Sequence, residues 1–209
     1  MTKDRQLAED LARSGIAVVP EYFSLNLLDQ LRAEIVALEG KDGFRRAGVG
    51  SGSTRKVQDE IRRDSIHWLD RSHPTPVQTR VWEAMEQLRL VLNQHLFLGI
   101  LEIEAHYAVY PAGGFYSRHV DSFRNDDSRI VSFVLYLNSQ WMPMNGGQLR
   151  VYEKETFLDV EPRHGTLVCF LSRECEHEVL LSHAPRYSFT GWFKTSPQSV
   201  TARGRRDAD

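Results

Sequence analysis

Tyr110-Pro111-Ala112-Gly113-Gly114-Phe115-Tyr116-Ser117-Arg118-His119-Val120-Asp121 is the stretch on which the reading of this chain turns. It ends in a strand-like run, and residues i and i+2 of a strand point to the same face. His119 and Asp121 therefore converge on one point, an imidazole beside a carboxylate, an arrangement that suits a metal ion. A third donor has to arrive from another strand of the same sheet system. His177, in Glu176-His177-Glu178-Val179, is the residue placed to supply it.

Two histidines and one carboxylate on one side of a metal leave the opposite positions open, which is the facial triad of non-haem Fe(II) oxygenases. A His-x-Asp pair alone is weak evidence, because eight histidines and 28 acidic residues make such pairs common by chance. The run Arg186-Tyr187-Ser188-Phe189-Thr190-Gly191-Trp192 strengthens it by putting Arg186, Ser188, Thr190 and Trp192 on one strand face. A guanidinium aimed into an enclosed sheet needs an anion, and a dicarboxylate binds it bidentately. A structural salt bridge between Asp121 and Arg186 would satisfy both without a metal, but it leaves two histidines without a role. Tyr136 shares a face with Ser132 and Val134, so its hydroxyl can point inward to join Arg186 on a carboxylate; the plainer reading is an aromatic core residue.

The pattern His119-x-Asp121, His177 and Arg186 resembles the Fe(II)- and 2-oxoglutarate-dependent dioxygenases, specifically the prolyl hydroxylases, from roughly Ile61 to Lys194. The spacing Tyr110-x-x-Gly113-x-x-Tyr116-x-x-His119-x-Asp121 is similar to the collagen-type enzymes. Tyr136-Leu137-Asn138, Gly146-Gly147, Glu161-Pro162, Arg186 and Trp192 resemble the oxygen-sensing enzymes and their bacterial relatives. The resemblance implies Fe(II) held by His119, Asp121 and His177, 2-oxoglutarate and O2 as co-substrates, and ascorbate as a reductant. It implies co-substrate contacts at Arg186, Tyr136, Tyr110, Thr190, Leu149 and Trp192. Substrate contacts are implied at Arg129, Asp64, Gly48 and Gly50, with Asp64 entering through Ile61-Arg62-Arg63-Asp64, similar to the strand that follows the substrate-covering loop in that family.

The implied reaction is trans-4-hydroxylation of a prolyl residue in a protein; in bacterial relatives that protein is elongation factor Tu, the translation factor that delivers aminoacyl-tRNA. The segment between Tyr110 and His119 is one residue shorter than in the animal oxygen sensors, and the loop from Lys41 to Thr54 is Gly-rich rather than distinctive, so the substrate stays open. The same chemistry on a free amino acid or other small molecule is one alternative, which a closed pocket would favour over an open groove along the loop. A non-catalytic jelly-roll binding module is the other, and it would not need Arg186, Tyr136 and the triad together.

At 209 residues the chain suits one domain with a substantial core and is short for two. A hydrophobic content of 41%, a charged content of 26% and a net charge of −2 are those of a globular protein, with no ground to expect a nucleic-acid or membrane partner. No run of about 18 apolar residues occurs and Met1 to Gln6 lacks the apolar core of a signal peptide, so a cytoplasmic location is expected. Cys169 and Cys175 are then expected as free thiols, a disulfide being the alternative.

Leu7, Ala8 and Leu11 predict a helix over 4–13 stopped by Ser14-Gly15, followed by a short strand from Ile16 to Pro20. A second helix is predicted from Leu25 to Leu38 with Ser24 as N-cap. Lys41 to Thr54, with Gly48, Gly50 and Gly52 alternating, reads as a mobile loop, either a lid or a plain linker. A strand from Ile61 to Leu69 and a long helix from Pro74-Thr75-Pro76 to about Leu98 follow. Beyond that the apolar period changes from 3.6 to 2 and seven short strands recur, the last from Tyr187 to Phe193. The fold expected is mainly β with N-terminal helices: a double-stranded β-helix, or jelly roll, buttressed by about three helices. It forms one domain over 1–194, with helical support over 1–98 and a jelly-roll core over 99–194, before a disordered tail over 195–209.

Overall fold

Each helix forms where the apolar spacing placed it, and its ends show why it stops. In the structure, a computed structural model that describes residues 2–49, 56–121 and 128–195, α1 (Lys3–Ser14) is capped by the Thr2 side chain, which accepts from the Arg5 amide, and ends at Gly15 with φ 72°. α2 (Leu25–Glu39) follows Ser24, but the Ser24 hydroxyl makes no capping bond; its carbonyl accepts from the amides of Leu27 and Leu28 instead. α3 (Pro76–Leu96) opens with a reciprocal capping box between Thr75 and Gln78 and has proline in its first turn. No described helix is long and apolar enough to cross a membrane.

The strands are β1 (Ile16–Val19), β2 (Arg45–Arg46), β3 (Ser65–Trp68), β4 (Glu102–Tyr110), β5 (Tyr116–His119), β6 (Arg129–Tyr136), β7 (Leu149–Glu153), β8 (Thr156–Val160), β9 (Leu167–Leu171), β10 (His177–Val179) and β11 (Arg186–Lys194). They make two antiparallel sheets, one of seven strands in the order β1-β9-β6-β11-β4-β3-β2 and one of four in the order β5-β10-β7-β8. This is the jelly-roll architecture expected. Strand alternation divides the large sheet's two faces. Ile103, Tyr107, Val131, Leu135, Phe189 and Phe193 join the stripes of the three helices in one core, while the residues between them face the small sheet.

Three strands of the large sheet come from the first 98 residues, so that part of the chain is not only helical support: β1 pairs with β9, and β3 extends the edge of β4. The strand expected from Ile61 begins only at Ser65. Before it the chain turns toward β5, where the Arg63 amide donates to the Phe115 carbonyl and Arg62 bridges Tyr116. β2 lies inside the stretch read as a loop, and β8 is an edge strand with no counterpart in the expectation. Gly191 shows how closely β4 and β11 pack. A Cβ there would lie 2.1 Å from the Glu104 carbonyl oxygen and 2.7 Å from Cζ of Phe133.

Candidate active site

β5 and β10 pair with His177 directly across from His119, and the two rings stand 4.3 Å apart. Asp121 follows two residues beyond His119, so the three side chains meet at the mouth of the two sheets. Nε2 of His119 is 3.6 Å from Oδ1 of Asp121, Nε2 of His177 is 3.8 Å from Oδ2, and one donor atom from each residue lies within 4.8 Å of the others. Nδ1 of His119 is 2.7 Å from the Ser117 carbonyl and Nδ1 of His177 is 3.0 Å from the Cys175 carbonyl. A carbonyl only accepts, so each Nδ1 carries its proton and each Nε2 is turned toward Asp121.

The carboxylate is held as firmly as the imidazoles. Oδ2 of Asp121 accepts from Oγ of Ser132 at 2.7 Å and from Nε1 of Trp192 at 3.0 Å. Because the Ser132 proton is committed to Asp121, the contact between Ser132 and Ser172 hydroxyls at 2.9 Å has Ser172 as donor. Burial alone would raise the Asp121 pKa, but His177, His119 and the Ser132 hydroxyl outweigh it and hold the carboxyl well below its usual range. Burial pushes His177 down to about 4, which keeps its imidazole neutral at physiological pH, the form that binds a metal. Two imidazoles and an ionised carboxylate on one side form a donor set that fits Fe(II).

At the far end, Arg186 is 2% exposed and its Nε donates to the Gly147 carbonyl at 2.9 Å. Its guanidinium carbon lies 5.0 Å from the Tyr110 ring centroid and 4.9 Å from that of Tyr136. Gly147 allows this approach: at φ 65° it stands where a Cβ would lie 3.2 Å from Cδ of Arg186. No carboxylate among the described residues pairs with Arg186, and Asp121 bonds to Ser132 and Trp192, so the alternative salt bridge does not form. The Tyr136 hydroxyl is buried and meets no hydrogen-bond partner among the described residues, and burial raises its pKa, so it remains a proton donor. A buried guanidinium and an orphaned phenol each cost free energy on the order of a few kcal/mol unless a ligand supplies an anion.

The triad and Arg186 share one cavity of about 310 Å³. Tyr110, Thr190, Leu149 and Trp192 are on its wall, whereas Tyr136 is fully buried against Arg186 and is not. Of the residues expected to meet substrate, Gly48 and Arg129 line the cavity, with Arg129 stacked 3.5 Å over the Trp192 ring and its Nη1 3.4 Å from the Asp121 carbonyl. Asp64 lines it too, but its carboxylate is taken bidentately by Arg62 at 2.7 and 2.6 Å. Gly50 lies outside the described residues. Among the described residues, the cavity reaches the surface at Trp68 and Val120, which are 38% and 40% exposed.

Several wall residues were not singled out from the sequence. Ser132 shares a strand face with Tyr136, and His106 alternates with Ala108 and Tyr110 on β4, so period-two reading extended to every strand would have found both. Ser172 sits outside the strands and acts through Ser132, a partner remote in sequence that no local pattern reveals, whereas Arg62 acts on Asp64 only two residues away. Both cysteines are free and buried, so the alternative disulfide is absent.

Comparison with known proteins agrees with this geometry. The 2OG-Fe(II) oxygenase superfamily matches residues 105–194. Prolyl hydroxylase EGLN3 of Homo sapiens is 39% identical over 193 residues, covering 86% of this chain and 75% of that protein. Egl nine homolog 1 of Homo sapiens is 31% identical over 201 residues, covering 91% of this chain and 46% of that protein, so the chain spans about half the length of this curated relative. Among solved structures, a prolyl-4-hydroxylase from Pseudomonas putida matches with a TM-score of 0.83 at 40% identity, covering 93% of this chain and 100% of that one. A Trichoplax adhaerens prolyl hydroxylase in complex with a hypoxia inducible factor peptide fragment matches in fold, with a TM-score of 0.81 at 24% identity over 92% of this chain and 91% of that one.

Proposed function

Because the chain belongs to the 2OG-Fe(II) oxygenase superfamily, and within it to the prolyl hydroxylases, we propose that it hydroxylates a prolyl residue in a protein segment at the expense of 2-oxoglutarate and O2. The overall reaction places one oxygen atom of O2 in the new hydroxyl group and the other in succinate, with release of CO2. The iron, when bound, supplies the oxygen chemistry that side chains cannot perform.

The chain's own residues do the rest. His119, Asp121 and His177 would hold Fe(II), their orientation fixed by Ser117, Cys175, Ser132 and Trp192. Arg186 would take the distal carboxylate of 2-oxoglutarate, with the Tyr136 hydroxyl as a second donor. Thr190 and Tyr110 line the same end, and Leu149 and Trp192 exclude water from it. Arg129 would steer the peptide backbone at the opening, with Gly48 on the covering segment.

The observation that carries this reading is the buried guanidinium of Arg186, without a carboxylate partner among the described residues, in one cavity with the triad. The cavity's reach to the surface supports a protein segment over a free metabolite, and a relative solved with a bound peptide points the same way. Two free, buried thiols support a reducing, cytoplasmic setting. The test is incubation with Fe(II), 2-oxoglutarate and prolyl peptides, with elongation factor Tu as the first intact protein tried. Mass spectrometry should locate one added oxygen atom on a proline. Oxidation of free amino acids alone, with every peptide and protein untouched, would replace this reading with the metabolite alternative.

A further inference from the structure

The rim of the cavity bears on which protein segment can enter. β2 runs along β3 with Arg45 directly opposite Ile66, and directly opposed residues of an antiparallel pair share a face. Ile66 lines the cavity, so the exposed Arg45 lies on the cavity side of the outermost strand of the large sheet. Val49 also lines the cavity, and it stands opposite Lys56 with backbone hydrogen bonds of 2.8 and 2.9 Å in both directions. Lys56 therefore flanks the same opening. Neither the Arg45 nor the Lys56 side chain has a hydrogen-bond or ion-pair partner among the described residues.

Deeper in, Arg62 and Arg129 line the wall. The two carboxylates that line the cavity among the described residues are already committed, Asp64 to Arg62 and Asp121 to the triad. The chain as a whole carries a net charge of −2, so this concentration of cations does not follow from composition. Cations gathered at one opening repel one another and attract an anionic partner, raising its rate of encounter and rejecting a cationic one.

We infer that Arg45 and Lys56 recognise carboxylates flanking the target proline, so that the substrate is an acidic protein segment. This rests on the prolyl hydroxylase reading and narrows it.

The test uses three peptides built around one proline, with flanking positions occupied by Asp and Glu, by Asn and Gln, or by Lys. KM and kcat are measured for the parent chain and for Arg45→Glu and Lys56→Glu, while 2-oxoglutarate consumption is followed in parallel. In the parent, KM for the acidic peptide should be at least about tenfold below that for the lysine peptide, and the gap should shrink as salt is raised. In the charge-reversed variants the lysine peptide should bind better than it does to the parent, a gain that loss of folding cannot produce. Equal KM values across the three peptides in the parent, or an unchanged preference in both variants, would overturn the inference while leaving prolyl hydroxylation in place. Consumption of 2-oxoglutarate with no oxygenated peptide of any charge would overturn the underlying reading, and this inference with it.

Discussion

Trp192 donates its indole proton to Oδ2 of Asp121 at 3.0 Å, the same oxygen that accepts from the Ser132 hydroxyl. With Oδ2 doubly engaged and Oδ1 not, the carboxylate is prepared to offer a metal one oxygen rather than two. An aspartate that offers one oxygen would leave more of a bound metal's positions to the co-substrates. Ser132→Ala and Trp192→Phe should therefore each weaken Mn(II) binding by roughly tenfold, and Ser132→Thr should restore it. Calorimetric titration gives the constants, and values within about twofold of the parent for both variants would show that these donors do not set the ligand.

Asp121→Ala removes the only carboxylate of the triad, and two imidazoles cannot replace it. Turnover should be lost while the circular dichroism of the fold is retained, because the residue borders a cavity and not the helix-packed core. Chelation of the metal should silence the parent reversibly, with activity returning on addition of Fe(II). Tight stoichiometric metal binding by the variant would falsify the assignment.

Tyr136→Phe should act with opposite signs on stability and on co-substrate affinity. The hydroxyl is buried without a partner, so its removal should stabilise the ligand-free protein by about 1 kcal/mol. The same change should raise the 2-oxoglutarate requirement several-fold, since a donor to its carboxylate is gone. Arg186→Ala should raise that requirement by at least about tenfold, the loss of a charge-assisted contact worth roughly 1.5 to 3 kcal/mol. Thermal melts with and without 2-oxoglutarate separate the two terms; a Tyr136→Phe protein that melts lower in the absence of ligand contradicts the orphaned hydroxyl.

Gly191→Ala should destabilise the protein by more than about 2 kcal/mol, because the new Cβ would drive against the Glu104 backbone and the Phe133 ring together. Chemical denaturation measures it. A variant as stable as the parent would mean that β4 and β11 separate more easily than their packing indicates.

The candidate metal ligands and Arg186 were legible because His119, His177 and Arg186 sit on strands, with Asp121 two residues beyond His119, so local pattern and tertiary position coincide. Helix extents were legible to within a few residues for the same reason, the apolar stripes of α1, α2 and α3 being long. β8 was not, because its hairpin turns through Lys154 at φ 48° and Glu155 without the glycine or asparagine that marks such a turn, and four of its five residues are exposed. β2 is two residues long and takes its pairing from β3 rather than from any propensity of Arg45 and Arg46. The Ser172 contribution was hidden because it depends on β6 and the end of β9 lying side by side, a pairing that no short stretch encodes.

The alternation along β11 has a consequence for how such a protein can change over generations. Tyr187, Phe189 and Phe193 face the helices, and Arg186, Ser188, Thr190 and Trp192 face the cavity, so one strand holds two sets of residues with little shared environment. Substitutions in one set leave the other almost untouched, apart from the crowded glycine between them. The cavity wall can therefore be altered at every second residue while the architecture stands still, and a library randomised at cavity-side positions alone should be rich in folded members that differ in metal and co-substrate binding.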